Sequence, residues 1–271
     1  MQLPQKIEKN EVFAFEFSVC TLVTDLNEYK EMRDSFTAGG FTADICEYLY
    51  IDNSSKNTFE AYAGLNRFLR EAKGEYIILC HQDILLEKHS IDDLRTRISE
   101  MDKADPYWGV LGNAGSVNIK YRAVHLSQSF EQKSKEKYLP IRVQTLDENF
   151  IIVKSSANLA LSVDLEGFHF YGADICLIAD VLGYNCYVID FKLLHKSEGN
   201  DDKKFYLLKR KLIRKYAKAF RSRFIGTTVT RFYISGSRLC SLIGNTHFVL
   251  FFARQYYKII RPKKLYRLKT K

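Results

Sequence analysis

The sequence is poor in residues that interrupt regular structure. It has 4 prolines and 14 glycines in 271 residues, which excludes collagen-like and low-complexity chains. Hydrophobic residues make up 46% and charged residues 27%, close to the averages of globular proteins, so disorder is excluded as well. A chain of this length can bury a sizeable core and predicts one large domain, or one domain with a smaller attachment.

Paired cysteine motifs are also absent. The six cysteines include no Cys-x-x-Cys pair, and most lie in apolar runs such as Tyr76–Cys80, where cysteine behaves as a small buried hydrophobe. Residues 1–8 contain no apolar segment of the kind that a secretory signal needs. We therefore expect free thiols in a reducing, cytoplasmic compartment.

Acidic residues are missing from the last quarter of the chain. Residues 203–271 contain 20 Lys or Arg and no Asp or Glu, whereas residues 1–202 hold the other 21 basic residues and all 32 acidic ones, a net charge of −11. This change of sign predicts a boundary near Asn200–Asp202, between a globular domain (1–202) and a basic helical region (203–271). The partner of such a region is expected to be a polyanion or an anionic surface.

No apolar run reaches the roughly 20 residues that cross a membrane. Leu239–Ala253 is a 15-residue stretch without charged residues, but it includes Asn245 and His247 and fits an interfacial helix better. Residues 203–223 place apolar side chains at every third or fourth position among ten Lys or Arg, which predicts a basic amphipathic helix. We favour an anionic membrane surface as the partner of residues 203–271. Packing within the protein and nucleic-acid binding are the alternatives, although the sequence contains no nucleic-acid-binding motif.

Apolar, β-branched runs alternate with segments of helical spacing over most of the first 190 residues. The pattern predicts strands at 17–24, 46–51, 76–80, 108–111, 149–154 and 184–190. It predicts helices at 28–37, 91–101 and 172–182, and another that begins at Asn57 with Glu60 completing a capping box and ends at Gly74. Such alternation predicts an α/β fold with a mostly parallel central sheet and helices on both faces. Residues 113–147 are less regular and are predicted to form an excursion or flap.

Polar side chains stand where the predicted strands end. Four groups do so: Thr24-Asp25, Asp52-Asn53-Ser54, His81-Gln82-Asp83 and His195. Ligands of open parallel sheets bind outside the carboxyl ends of the strands, so these residues are the candidate site. Neither G-x-G-x-x-G nor G-x-x-x-x-G-K-[ST] occurs, so dinucleotide and P-loop phosphate binding have no fingerprint here.

Seven short segments occur in an order and spacing that is known from one family. Four lie in the first half: Val23–Asp25, Tyr50–Ser55, Ala63–Asn66 and Ala72–Asp83. Three lie further on: Phe168–Leu177, Gly183-Tyr184 and His195–Ser197. The first group resembles the nucleotide-sugar half of family 2-type glycosyltransferases with a GT-A fold, and more narrowly the glycosyltransferase-like branch whose DxD motif reads His-Gln-Asp. The second group is similar to the acceptor half of that branch.

The resemblance implies a donor site at the first four segments. Asp52 matches the residue that binds the nucleotide base or ribose, Thr24 would line the same pocket, and Asn53 and Ser54 would shape the turn. The same resemblance places three further residues on the donor: Asn66, His81 and Gln82.

The resemblance also implies a divalent metal. Asp83 keeps the second carboxylate of the DxD motif and is the expected ligand of Mg²⁺ or Mn²⁺, and His195 matches a late His that completes the metal site. His81 replaces the first carboxylate. As a softer, neutral donor it favours Mn²⁺ slightly.

An inverting single displacement is the implied mechanism. Asp174 matches the carboxylate that takes the proton from the acceptor hydroxyl, although the helix dipole alone also favours negative charge there. Ala173 stands where the family has a second acid, so Asp147 and Glu148 are the alternative pair. Phe168 and Tyr171 would contact the acceptor sugar, and ordinary core packing explains these aromatic residues equally well.

These features together predict a hexosyltransferase-type enzyme of polysaccharide biosynthesis. Its substrates would be a nucleotide-sugar donor and a glycan or lipid-linked acceptor. Its location would be cytoplasmic and peripheral, at the inner face of the membrane, with no nucleic acid as partner. Two alternatives stay open: a relative that binds nucleotide or glycan without catalysis, and a polyanion-binding protein that acts through its basic C-terminal arm.

Overall fold

The structure is a computed structural model that describes residues 12–124, 126–127, 139–197 and 203–259. The chain divides into two compact units, Met1–Arg210 and Lys211–Lys271. The strands are β1 (Phe15–Val23), β2 (Cys46–Asp52), β3 (Gly74–Cys80), β4 (Ile84–Leu85), β5 (Trp108–Gly112), β6 (Ala114–Ser116), β7 (Arg122–Val124), β8 (Leu126–Ser127), β9 (Ile141–Arg142), β10 (Thr145–Leu146), β11 (Phe150–Lys154), β12 (Asn185–Val188), β13 (Leu193–His195), β14 (Arg223–Gly226) and β15 (Arg231–Ile234). The helices are α1 (Leu26–Ala38), α2 (Ala61–Glu71), α3 (Ile91–Ala104), α4 (Tyr171–Leu182), α5 (Lys203–Ala219), α6 (Arg238–Gly244) and α7 (His247–Ile259).

A seven-stranded sheet forms the centre of the first unit, in the order β2-β1-β3-β11-β5-β12-β9. β1 is parallel to β2 and β3, and β12 is parallel to β5. β11 lies antiparallel between β3 and β5, and β9 is antiparallel at the edge. The sheet is therefore mostly parallel, as the alternating pattern predicted, with an antiparallel strand at its centre that the pattern did not show.

Helices cover the sheet because its central strands are apolar on both faces. All five residues of β5 and Phe150–Val153 of β11 are buried. One hydrophobic core combines alternate residues of the strands with the apolar stripes of α1 and α3, including Met32, Phe36 and Leu94. α2 and α4 bury their own apolar stripes outside this core, and they pack against β1 and β12.

The predicted start of α2 at Asn57 is wrong. The helix begins at Ala61, and residues 53–59 form a loop held by the buried side chain of Asn53. The Asn53 carboxamide accepts hydrogen bonds from the N–H groups of Thr58 and Phe59 and donates one to the Phe59 carbonyl. Asn57 does contact Glu60, at 3.0 Å, but through their side chains.

Gly74 does not close α2 but opens β3. Its N–H donates to the Ser18 hydroxyl at 2.8 Å, and a Cβ at this position would stand 2.6 Å from the backbone of Phe17. Only glycine permits this close approach of β3 to β1. The predicted strand at 184–190 is also shorter, since β12 ends at Val188.

The described part of residues 113–147 contributes strands to two small sheets and, through β9, to the edge of the seven-stranded sheet. One sheet has the order β10-β6-β7, and the other has the order β4-β13-β8. Residues 125 and 128–138 of this segment lie outside the described residues.

The second unit contains a β-hairpin as well as helices. β14 and β15 pair antiparallel, with Gly226 opposite Arg231, and α6 and α7 follow. The expected single helix over Leu239–Ala253 is wrong, because the chain turns at Asn245. The Asn245 side chain bonds the N–H and carbonyl of Tyr233 and the carbonyl of Ser241, which fixes the break. Within the described ranges, every helix is too short or too polar to span a bilayer.

Candidate metal centre and its surroundings

Three side chains converge at the carboxyl edge of β3. His81 and Asp83 follow that strand, and His195 ends β13. One ligand atom from each lies within 4.8 Å of the other two. The Asp83 Oδ1 atom is 3.4 Å from His195 Nε2 and 3.9 Å from His81 Nδ1.

Backbone pairing holds this cluster together. His195 lies opposite Ile84 in the antiparallel β13–β4 pair, and the N–H of Lys196 donates to the Asp83 carbonyl at 3.0 Å. The N–H of His81 donates to the Asn149 carbonyl at 2.9 Å. Main-chain hydrogen bonds thereby hold His195 beside Asp83, from which it is distant in sequence.

The electrostatics of the cluster suit a cation. Burial alone would raise the pKa of Asp83, but hydrogen bonds from His195 and Ser197 and the two nearby imidazoles hold it well below its usual range. Burial and the neighbouring His195 lower the pKa of His81. Near neutral pH the carboxylate is therefore ionised and His81 is neutral, which are the forms that bind metals.

The donor set fits a transition-metal ion better than Mg²⁺. One carboxylate oxygen and two imidazole nitrogens converge, and imidazole nitrogen suits transition-metal ions, whereas Mg²⁺ prefers oxygen ligands alone. His81, expected on the donor, thus joins the two expected metal ligands Asp83 and His195.

Tyr171 fixes the orientation of His81. Its hydroxyl donates to the Glu148 carbonyl at 3.1 Å and lies 2.8 Å from His81 Nε2. Because its proton points at Glu148, the hydroxyl oxygen accepts from His81 Nε2–H, which leaves the Nδ1 lone pair facing Asp83. Metal-ligating histidines are commonly oriented by such a partner on the second ring nitrogen.

Tyr171 was expected to contact the acceptor sugar, but its ring is only 6% exposed. Its hydroxyl contacts a candidate metal ligand instead. Phe168, the other expected acceptor contact, is 43% exposed and lies on the surface.

Gln82 connects the end of β3 to the end of β1. Its Oε1 atom accepts from the N–H groups of Thr24 and Asp25 at 2.7 and 2.9 Å, and its Nε2 group donates to the Thr24 hydroxyl and to Glu28. The structure thus brings Gln82 and Thr24 together, as expected for neighbouring strand ends. In this arrangement the Gln82 amide holds the Thr24 loop in place.

The Asp52 loop presents an ionised carboxylate to solvent. Hydrogen bonds from the Ser54 hydroxyl and N–H, at 2.6 and 2.8 Å, lower the pKa of Asp52. Both side chains are exposed, while Asn53 is buried and shapes the loop. Asp52 therefore has an open face for a ligand hydroxyl.

Asn66 lies in the wall of a neighbouring cleft. Its carboxamide pairs with the Leu161 backbone in both directions, at 2.7 and 3.0 Å. A cleft of about 720 Å³ lies between α2 and residues 158–166, with Asn66, Thr58 and Glu166 among its lining.

Asp174 is completely buried. Its two carboxylate oxygens accept from the N–H and the hydroxyl of Ser162, both at 2.7 Å. These bonds tie the loop before α4 to the first turn of that helix, and they leave Asp174 no exposed surface.

Glu148 is linked to the metal cluster through Tyr171, whose hydroxyl contacts both the Glu148 carbonyl and His81. The N–H groups that open α4, from Phe170 to Gly172, bond its carboxylate. Burial and the charge of Asp147 nevertheless raise the pKa of Glu148 to about 8. The Asp147 side chain is exposed, and one of its oxygens accepts from the Asn149 N–H at 3.0 Å.

The sequence did not indicate the contacts that two residues make at this site. Ser197 bonds Asp83, and only its position two residues after His195 could have indicated it. Tyr171 was expected at the acceptor sugar, and its contact with His81 could not be predicted because it depends on the tertiary fold.

A curated relative covers nearly the whole chain. The protein called ATP synthase subunits region ORF 6, from Fuscovulum blasticum, is 35% identical over 240 residues, which are 86% of this chain and 96% of that protein. The chain belongs to this ORF 6 family. The family name describes a gene region and no activity, and no protein-family model matches the chain.

Comparison with solved structures identifies the fold of this ORF 6 family member. The mannosyltransferase PcManGT from Pyrobaculum calidifontis, in complex with GDP-Man and Mn²⁺, is 16% identical with a TM-score of 0.51, over 83% of this chain and 69% of that one. TarS from S. aureus is 14% identical with a TM-score of 0.48, over 75% of this chain and 40% of that one. The likeness to PcManGT shows that the ORF 6 family chain has the GT-A glycosyltransferase fold that the sequence predicted.

Proposed function

We propose that this protein is a metal-dependent glycosyltransferase that moves a sugar from a nucleoside diphosphate donor to an acceptor hydroxyl. The observation that carries the proposal is the cluster of His81, Asp83 and His195 at the carboxyl edge of a GT-A sheet. PcManGT, which shares the fold, was solved with GDP-Man and Mn²⁺, and this supports a nucleotide-sugar donor and Mn²⁺ as the ion.

Each half of the donor has a matching set of residues. His81 Nδ1, Asp83 and His195 would hold the divalent ion, whose chemistry when bound is to neutralise negative charge on the diphosphate. The exposed Asp52 carboxylate and the Thr24 loop would take the nucleoside, because a free carboxylate accepts hydrogen bonds from ribose or base. Gln82 keeps the loops after β1 and β3 at a fixed separation through its bonds to Thr24 and Asp25.

For the catalytic base, the geometry favours Glu148 over Asp174. Asp174 is fully buried and both its oxygens bond Ser162, so an acceptor hydroxyl has no approach to it. Glu148 keeps some exposed surface although the N–H groups that open α4 bond its carboxylate, and Tyr171 connects its backbone to His81. Its pKa of about 8 lies close to that of an effective general base. An inverting single displacement would need one such carboxylate.

The acceptor side of the proposal is a glycan or lipid-linked hydroxyl at a membrane. Residues 203–271 carry 20 basic and no acidic residues, which suits an anionic membrane surface at the cytoplasmic face. We further propose a hexose donor and a role in polysaccharide synthesis, which the family resemblance implies.

Calorimetric titration with UDP, GDP, CDP and dTDP, first with Mn²⁺ and then with EDTA, tests the donor site. We expect one nucleotide to bind only with metal, and Asp83→Asn to weaken that binding by roughly 100-fold, since a charged ligand is lost. Asp34→Asn, an exposed carboxylate on α1, serves as the control and should change nothing.

Two results would contradict the proposal. Equal affinity of Asp83→Asn and wild-type protein would remove the cluster from the donor site. Metal-dependent nucleotide binding without any sugar transfer would instead favour the second candidate, a relative that binds nucleotide and has lost catalysis.

A further inference from the structure

A groove of about 380 Å³ runs through the second unit between the β14–β15 hairpin and α7. Its lining consists of Phe224, Ile225, Gly226, Arg231, Leu250, Ala253, Arg254, Tyr257 and Lys258. The groove is therefore an apolar channel with three basic side chains, built from two separate elements.

The spacing of these residues explains how the cations converge. Leu250, Arg254, Tyr257 and Lys258 follow one another at helical intervals, so they lie on one stripe of α7. Arg231 comes from the other wall, where it pairs with Gly226 across the hairpin. Arg254 and Lys258 are one turn apart on the same stripe, so their positive charges add up along the groove.

No acidic residue of this unit can neutralise the groove, because residues 203–271 contain neither Asp nor Glu. Cations that lie close together repel one another, and an anion between them relieves that repulsion. Arginine is well suited to hold a phosphate, because its planar guanidinium donates two parallel hydrogen bonds.

The apolar surface that α6 and α7 expose elsewhere in this unit indicates that the anion belongs to a lipid. α6 and α7 expose large apolar side chains, with Leu242 and Phe248 both 72% exposed and Phe251 and Phe252 more than half exposed. Apolar rings of this kind on a basic helix lie at the boundary of headgroups and acyl chains. A soluble phosphate compound would account for the cations but not for these rings.

We propose that this groove binds the phosphate of an anionic membrane phospholipid, with Arg231, Arg254 and Lys258 on the phosphate and the aromatic residues of α7 in the membrane interface. The inference rests on the membrane part of the proposed function and assigns it to one site. It does not depend on sugar transfer, so each can fail without the other.

Flotation of the full-length protein with vesicles tests the site, using phosphatidylcholine alone or mixed with phosphatidylglycerol. Wild-type protein should bind only the mixed vesicles. Changing all three groove cations (R231Q/R254Q/K258Q) should lower that affinity roughly tenfold or more. The control K211Q/R214Q/K218Q removes the same charge from exposed positions of α5 and should lower it clearly less.

A second pair of variants tests whether lipid binding depends on the shape of the groove as well as on its charge. A Cβ at Gly226 would meet no atom within 4 Å, so Gly226→Phe should place a ring at the wall of the groove without strain and abolish the preference for phosphatidylglycerol. Gly236→Phe adds the same ring at an equally open position outside the groove and should leave binding unchanged.

Three results would overturn the proposal. If wild-type protein binds both kinds of vesicle equally, a site for the anionic lipid is excluded. Equal losses of vesicle affinity in the two triple variants would show that the total charge matters and the groove does not. Full displacement from the vesicles by millimolar inorganic phosphate would show a soluble anion as the ligand. Nucleotide calorimetry on the same variants should match wild-type protein in every case.

Discussion

Single residues decide which protonation states the candidate metal centre holds. Asp83 is ionised because hydrogen bonds outweigh its burial, and His81 is neutral because burial disfavours its charge. The tautomer of His81 depends on one further group, the Tyr171 hydroxyl. Removing that hydroxyl is the most direct way to test the arrangement.

Tyr171→Phe should weaken Mn²⁺ binding by roughly 10- to 100-fold, the usual effect of losing a partner that orients a metal ligand. The phenyl ring keeps the packing, so the fold should survive. Mn²⁺ affinity from electron paramagnetic resonance measures the effect without any substrate.

A matched control for this change is Tyr62→Phe. It removes another buried hydroxyl, which bonds the carbonyl of His169 at 3.1 Å. Equal losses of Mn²⁺ affinity in the two variants would mean that Tyr171 acts through general stability and not through His81.

Glu148 predicts a pH dependence of stability. Its pKa is about 8 in the folded protein against an ordinary value of 4.5, so the folded state binds this proton more tightly than the unfolded state. The stabilisation of the folded state by this tighter proton binding is fully present below about pH 4.5 and is lost as the pH rises through about 8. Glu148→Gln cannot ionise, so its melting temperature should rise relative to wild type across this window. Thermal melts of both proteins at a series of pH values measure it.

The same variant tests the proposed base. Glu148→Gln should reduce sugar transfer by roughly 100-fold or more, whereas wild-type kcat/KM should rise with pH through about 8, as the base loses its proton. Asp174→Asn is the comparison: it should lower stability, through its bonds to Ser162, yet keep turnover. The opposite result, with transfer lost only in Asp174→Asn, would restore Asp174 as the base.

At the scale of elements, short connections place the chemistry. The β13–β4 pair is only two residue pairs long, yet it brings His195 beside Asp83. The Gln82 carboxamide and the Asn53 carboxamide act similarly for the loops after β1 and β2. Side-chain amides suit this task because each can accept from one backbone group while donating to another.

In the second unit, the side-chain amide of Asn245 likewise connects two segments of backbone. Asn245→Ala should remove its bonds to Tyr233 and Ser241 and loosen β15, because these bonds connect the hairpin to the end of α6. Hydrogen exchange of the amides of Arg231–Ile234 should become faster, while exchange in β3 stays unchanged and provides the internal control. Unaltered protection of β15 would show that packing alone holds the hairpin.

At the scale of the whole molecule, the net charge changes sign near the boundary between the two compact units, but not at the same residue. The charge changes sign after Asp202, whereas the compact units divide between Arg210 and Lys211. The first turns of α5 explain the difference. The Phe205 ring lies 4.5 Å from that of Phe170 and 5.3 Å from that of His169, and Leu208 is buried.

Two fragments test where the first unit ends. Residues 1–210 should fold and bind the nucleotide that the full chain binds. Residues 1–202 should be less stable, because burial of a side chain such as Leu208 contributes about 1.5–3 kcal/mol. Thermal melting compares the two, and equal melting temperatures would show that Phe205 and Leu208 do not contribute.

The sequence by itself determined the order and type of most elements of the first unit. β1, β2, β3, β5 and β11 each match a predicted strand, because short apolar β-branched runs have one favourable environment, the interior of a covered sheet. The sequence also indicated the polar strand ends, since their types and order are local features. Asp83 and His195 were expected as partners through the family resemblance and lie together in the structure.

Only the tertiary structure decided the remaining features. The antiparallel placement of β11, the contact of Tyr171 with His81 and the burial of Asp174 depend on which segments meet in space, and no local pattern encodes that. Asn57 and Leu239–Ala253 show the same limit, because side-chain bonds from Asn53 and Asn245 overrode good helix signals. Helix propensity is worth a few tenths of a kcal/mol per residue, so a few well-placed hydrogen bonds exceed it.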